Sequence, residues 1–399
     1  MLSLRLIQEG YFAAGNKRLA LTGFLLIAAA YGLARFSWGL LLPGIRQDIP
    51  LSLSVAGTLA SASFAAYCVA VIFASVCTAK TGPRFPSLLA GLCAVAGTAL
   101  IAFSHGAAGL MAGVICAGLS AGLVSPPMAE AVNRNVASGE QPVVNTIINA
   151  GTGGGVIFSA LAVLALTDNW RATYLFFACV SLIPTLLALK ALPAGASGET
   201  FSLKTQFAAF LAPALRPPLV VAFLSGIASA AYWSFGPVMF TSQAGANERT
   251  ITLLWLITGV AGCFGLVTGY LTNRFGVNAV HRMMQALTVA AFVLFIFASR
   301  SPLVVYLVAA LYGFAYITLS GVLLVSGVNA TADKPAAGLG AVFLMLAIGQ
   351  VAGAAAFGLL LDSAGAVIAL LIFSAVALLA MLLPVARTQK GDAVDAAFK

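Results

Sequence analysis

Leu19 to Pro43 reads LALTGFLLIAAAYGLARFSWGLLLP, an apolar run long enough to cross a bilayer as a helix, which takes about 20 residues. Arg35 is the one charged residue in it. An arginine at the centre of a membrane helix costs about 2.5–3.5 kcal/mol on insertion scales and by default marks a functional site. The competing reading is an arginine that snorkels to an interface or pairs with another helix for packing alone. A functional Arg35 needs a water-filled cavity to face, and the rest of the chain must supply it.

The chain continues in the same character. It has 399 residues, 61% of them hydrophobic and 8% charged, with a mean hydropathy of +1.04. A soluble domain is about 25% charged, so the composition is that of a polytopic membrane protein. The runs are continuous rather than alternating, which selects helices over a β-barrel. Twelve apolar segments can be drawn, near 19–43, 53–78, 86–104, 108–132, 143–167, 172–192, 217–240, 250–272, 279–299, 302–326, 337–361 and 364–385. The longest connection, with Pro193, Gly195 and Gly198, divides the chain. A six-helix half (1–190) is followed by a linker (191–216), then a second six-helix half with a short tail (217–399).

The formal charge of +9 sits in short loops, which points to membrane topology and away from nucleic acid. With the N-terminus inside, fifteen basic residues fall on inner segments, from Arg5, Lys17 and Arg18 to Lys390 and Lys399. Only Arg46, Arg171, Arg249 and Arg300 fall outside, so both termini are expected in the cytoplasm, with the linker. The first span is too long for a signal peptide core and reads as a retained helix. Six cysteines lie in apolar spans without metal or disulfide spacing. No cofactor or metal is expected.

The two halves repeat. Gly226, Pro237, Lys80/Arg274 and Gly276 follow this rule: Gly32, Pro43, a basic residue and Gly82 recur 194 positions later. Four matches across the first helix and the loop after the second argue for duplicated halves. Beyond the third helix the offset is expected to drift.

The loop GYLTNRFGVN, Gly269 to Asn278, resembles the signature loop of the major facilitator superfamily, G-x-L-x-D-R-x-G-R-[RK], with Asn273 in the acidic position. Its first-half counterpart, SVCTAKTGPR, keeps Lys80, Gly82 and Arg84 but has Ser75 and Ala79 in place of the Gly and Asp. Glu130 is similar to the acid that pairs with the loop arginine in that family, and Trp170-Arg171 is another shared feature. The resemblance implies a twelve-helix, all-α membrane fold in two pseudo-symmetric halves that alternate in access. It also implies a gating set of Lys80, Gly82, Arg84, Glu130, Asn273, Arg274 and Gly276, and a bacterial inner-membrane location. Tyr31 to Ile49 and Trp255 to Gly265 look like helices 1 and 8 of the YbfB/YjiJ-type branch. The antiporter signature of helix 5 is half present: Gly151 and Gly155 match, and Val156 stands where proline belongs.

The same resemblance assigns helices 1, 4, 7 and 10 to the central path and 3, 6, 9 and 12 to lipid. Tyr31, Arg35 and Trp38 share one helical face at i, i+4 and i+7. The repeat places Ser225, Ser229 and Tyr232 opposite. Asn149 on helix 5, Tyr316 on helix 10 and Gln350 on helix 11 complete the candidate substrate-binding set. For each polar residue the alternative is an interhelical hydrogen bond that only holds the bundle.

No Asp or Glu lies deep in a span; Glu130, Asp168 and Asp362 are at ends. Proton coupling would then need Glu130, a tyrosine or the substrate's own proton. A cation, aromatics and hydroxyls together suit a small organic or amphipathic anion, carried by secondary active or facilitative transport. The alternative is a drug/proton efflux antiporter for hydrophobic compounds. No catalytic constellation or phosphate loop supports an enzyme. The expected partners are a small-molecule substrate, the lipid bilayer and protons as candidate coupling ion, with the chain acting as a monomer.

Overall fold

The computed structural model describes residues 14–166, 169–196, 210–298, 301–331 and 335–386, with no strand among them. Asp168 and the basic residues Arg5, Lys204, Arg300, Lys334, Arg387, Lys390 and Lys399 lie outside the described residues. Twelve helices are long and apolar enough to cross a membrane. The first half holds α1 (Asn16–Asp48), α2 (Leu53–Thr81), α3 (Arg84–Ala102), α4 (Ala107–Asn135), α5 (Gln141–Leu166) and α6 (Trp170–Ala191). The second holds α7 (Arg216–Ala244), α8 (Glu248–Phe275), α9 (Val277–Ile296), α10 (Pro302–Ala330), α11 (Pro335–Ser363) and α12 (Gly365–Leu382). With an even count, α1 begins and α12 finishes at one end, called proximal below.

Local chemistry fixes the turns at both ends. At the distal end Ser52, Asn169, Asn247 and Ser301 cap α2, α6, α8 and α10, each side chain accepting from a first-turn backbone N–H. At the proximal end Gly82 (φ +80°) and Gly276 (φ +79°) turn the corners α2–α3 and α8–α9. That left-handed region favours glycine, and a Cβ on Gly82 would also sit 2.1 Å from the Gly195 carbonyl oxygen.

The repeat holds further along the chain than its first three helices suggested. Gly32 of α1 seats on Gly155 of α5, and Gly226 of α7 seats on Gly349 of α11, with Cα close to the opposing glycine in both. Gly349 follows Gly155 by the same 194 positions, so the expected drift is absent at this crossing. Small residues let membrane helices approach this closely. Arg84 Nε donates to the Leu192 carbonyl at 2.8 Å, and Asn278 Nδ2 donates to the Ala386 carbonyl at 2.9 Å. Asn278 and Ala386 again lie 194 positions after Arg84 and Leu192.

The halves meet unevenly. One apolar core spans both at the distal end and includes Leu42, Trp170, Phe240 and Phe357. Proximally each half keeps its own: Leu26, Val124, Ile148 and Leu192 in the first, Leu215, Met284, Val342 and Val385 in the second. The cross-half hydrogen bonds follow suit. Leu53 N and Ser54 N donate to Asp362 at 3.1 and 2.7 Å, and Gln47 donates to Glu248 at 3.2 Å. Ser61 Oγ donates to the Val351 carbonyl at 2.8 Å, nearer the centre. The bundle is therefore joined distally and parted proximally.

Candidate functional site

The site begins with an irregularity in α1. Ala28–Phe36 is π-helical, a wider turn with i→i+5 bonds that recurs at functional sites. Arg35 is its penultimate residue, 7% exposed, and lies 13 positions before the helix end at Asp48. Among the described residues it is the one Lys, Arg, Asp or Glu more than five positions from a helix end. Its Nη2 donates to Gln350 Oε1 of α11 at 3.1 Å, across the two halves. Nε has no hydrogen-bond partner, and no carboxylate among the described residues pairs with the guanidinium. Four rings surround it instead. Its carbon lies 4.3 Å from the Tyr67 centroid, 4.6 Å from Phe64, 5.4 Å from Phe36 and 5.8 Å from Tyr31. A desolvated cation–π contact is worth up to about 2 kcal/mol, enough in sum to hold this charge without a counterion.

The polar groups continue from Gln350. Its Nε2 donates to Ser229 Oγ and to the Tyr316 hydroxyl, each at 3.2 Å. Tyr312 OH donates to the Ser229 carbonyl at 3.0 Å. Towards the proximal side, Tyr31 OH donates to Tyr67 OH at 3.3 Å and lies 3.0 Å from Ser125 Oγ. Towards the distal side, Phe36 packs on Trp233 at 4.5 Å, and Gly39 abuts the Trp233 carbonyl. Tyr31 and Tyr316 are half-buried, whereas Phe36 and Trp233 on the distal side of Arg35 are buried.

The structure thus gathers Arg35, Tyr31, Ser229, Tyr316 and Gln350. It separates three others, Trp38, Tyr232 and Ser225. Trp38 sits in the shared distal core, 5% exposed, because the π-turn breaks the α-helical register assumed from Tyr31 to Trp38. Tyr232 is fully buried, its ring stacked on Tyr312 at 3.9 Å and its hydroxyl 2.5 Å from Thr258 Oγ1. Ser225 turns the other way and accepts from Gln285 of α9 at 2.6 Å. Asn149 is exposed on α5, on the side opposite Phe158, whose ring stacks on Phe176 of α6. Phe64 and Tyr67 were not among the sequence candidates; a face of two aromatics three positions apart at the centre of α2 was the available signal.

Residues 24–344 match the family model described as Major Facilitator Superfamily. The chain belongs to this superfamily. It is a multi-pass membrane transporter, not an enzyme. Its backbone superposes on that of the nucleoside transporter NupG with a TM-score of 0.75 at 15% identity, over 96% of this chain and 100% of that one. A POT family transporter solved with 5-aminolevulinic acid gives 0.75 at 14% identity, over 94% of this chain and 96% of that one. A curated relative, the "Chloramphenicol resistance protein" of Streptomyces lividans, is 27% identical over 268 residues. That match covers 63% of this chain and 66% of the relative, just under two thirds of its length.

The superfamily's signature loops are present in altered form. Glu130 accepts from Arg134 Nε at 2.6 Å within α4, rather than from Arg84. Arg134 also donates to the Gly195 carbonyl at 2.8 Å, so Arg84 ties the linker side of α6 to the α2–α3 corner and Arg134 ties it to the end of α4. Lys80 is exposed. In the second half Asn273 is exposed, and Arg274 Nη1 donates to Tyr270 OH at 2.8 Å within α8. Gly82 and Gly276 carry the corner geometry itself.

Proposed function

We propose that this transporter moves a small organic or amphipathic anion by alternating access, with Arg35 as the charge partner. The observation that supports it is the arginine itself: buried at mid-membrane, unpaired with any described carboxylate, and lacking a partner at Nε. A structural arginine at this depth is ordinarily matched by an acid, because an unpaired buried charge is costly. Here rings and one neutral amide hold the place. Gln350, Ser229, Tyr316 and Tyr31 would supply hydrogen bonds to the anion. The charge bias of the loops supports a cytoplasmic proximal end, in which case the proximal parting of the two halves would face inward. No described carboxylate lies in the site, which favours exchange, facilitated passage or coupling through the substrate's own proton.

The test is uptake of labelled anions into proteoliposomes. Arg35→Ala should cut transport of any accepted anion at least tenfold, and Arg35→Lys should restore part of it. Full activity in correctly inserted Arg35→Ala protein would remove the anion reading. A second reading, efflux of hydrophobic compounds, is favoured by the name of the Streptomyces relative and by the aromatic wall around the site. Expression that raises resistance to lipophilic cations, with Arg35→Ala indifferent, would select it.

A further inference from the structure

We infer that the site takes a monoanion with a single carboxylate-like head, and that Gln350 Oε1 marks the position one of its oxygens occupies. This rests on the anion reading above and sharpens it. The guanidinium presents a planar fork of five N–H groups that suits a two-oxygen anion. One arm, Nη2, is spent on a neutral amide oxygen at 3.1 Å, and Nε is free. An amide oxygen is a weaker acceptor than a carboxylate oxygen, since charge-assisted bonds are roughly twice as strong. An arriving carboxylate therefore displaces Gln350 from Arg35 at a net gain. A Glu at this position would occupy the cation permanently. Gln keeps it available.

Charge count sets the valence. Arg35 is the one described cation at this depth, and the distal wall behind it is Phe36 on Trp233. A monoanion makes the loaded site neutral. A dianion leaves one net negative charge among Tyr31, Tyr67 and Tyr316, whose hydroxyls donate hydrogen bonds but carry no charge to offset it. The empty site keeps a bare cation stabilised only by rings and the amide. Displacement also severs the Arg35–Gln350 link, which is a bond between the two halves, so binding and loosening of the halves act on one group.

The experiment measures thermal shifts and affinities of the purified full chain with three matched series. These are straight-chain and aromatic monocarboxylates, the corresponding primary amides, and the corresponding dicarboxylates. The expected result is stabilisation by one or more monocarboxylates. The matched dicarboxylate should bind at least tenfold more weakly, equal to about 1.4 kcal/mol, and the amide should fall below detection. Gln350→Glu should abolish that binding while leaving the protein monodisperse, and Gln350→Ala should weaken it far less than Gln350→Glu does. Dicarboxylates that bind as tightly as their monocarboxylate partners, with Arg35→Gln abolishing both, would overturn the monoanion assignment and leave the anion reading intact. Undiminished monocarboxylate binding in Gln350→Glu would overturn the displacement of Gln350. Amides binding as well as acids, or no acid binding at all, would overturn the anion reading itself.

Discussion

Asp362, the penultimate residue of α11, reaches across to the other half and accepts from Leu53 N and Ser54 N at the start of α2. A carboxylate there meets both unsatisfied amides and the positive end of the helix dipole. Replacing it by Asn keeps the shape, removes the charge and leaves one oxygen for two donors. Hydrogen bonds contribute about 0.5–1.5 kcal/mol net and a helix-terminus charge about 0.3–1 kcal/mol. Asp362 is exposed, so solvent screening brings the loss to roughly 1 kcal/mol. At 25 °C that multiplies the ratio of distally open to distally closed molecules about fivefold. Spin labels on exposed His105 and Arg249, which lie in different halves at the distal end, report this ratio by pulsed EPR. The Asp362→Asn population should move to longer distances, and the effect should shrink in high salt. An unchanged distribution, or a shift to shorter distances, refutes the idea that this carboxylate holds the distal end shut.

Two further outcomes follow from packing. Gly32→Ala and Gly226→Ala place a Cβ 2.3 Å from Gly155 backbone and 2.0 Å from the Leu346 carbonyl oxygen. Each should lose about 1–3 kcal/mol of stability, read as a lower melting temperature, whereas Gly153→Ala, with its nearest atom at 3.5 Å, should melt like the parent. Tyr232→Phe removes the hydroxyl that meets Thr258, and should cost about 1 kcal/mol of stability without changing the affinity for any ligand that Arg35 binds.

How much of this was legible beforehand depended on which properties live in the chain and which in its packing. The span count, the halves and Arg35 are properties of run length, and the glycine corners at 82 and 276 are visible as a repeat offset. Trp38 leaves the face that α-helical spacing gives it, and nothing in AAAYGLARF announces a π-turn; the seat of Gly32 on Gly155 belongs to α5 as much as to α1. Tyr232 has the right position for the path yet turns into the core shared at the distal end, drawn by Thr258 and the Tyr312 ring. Phe64 and Tyr67 are not legible in this way because α2 is not among the helices that the family resemblance assigns to the path. Glu130 has two arginines in reach by sequence, and the one four positions on, on its own helix, wins it.

The repeat itself explains why the site is singular. Gly32 and Gly226, Gly155 and Gly349, Arg84 and Asn278 stand in equivalent places and make equivalent contacts, so the scaffold is shared by the two halves. At the centre the equivalence fails at several positions, and two of them decide the site. Arg35 corresponds to Ser229, and Gln350, 194 positions after it, corresponds to Val156. Val156 is buried against Gly259 of α8 and brings no polar group to the centre. The two departures, one in α1 and one in α11, are the pair that meet at 3.1 Å across the interface. A symmetric sequence would give either two facing cations, which repel, or none, which would leave nothing to hold an anion. One cation and one neutral amide, contributed by opposite halves, is the smallest break of symmetry that both carries a charge to mid-membrane and leaves it free to be claimed.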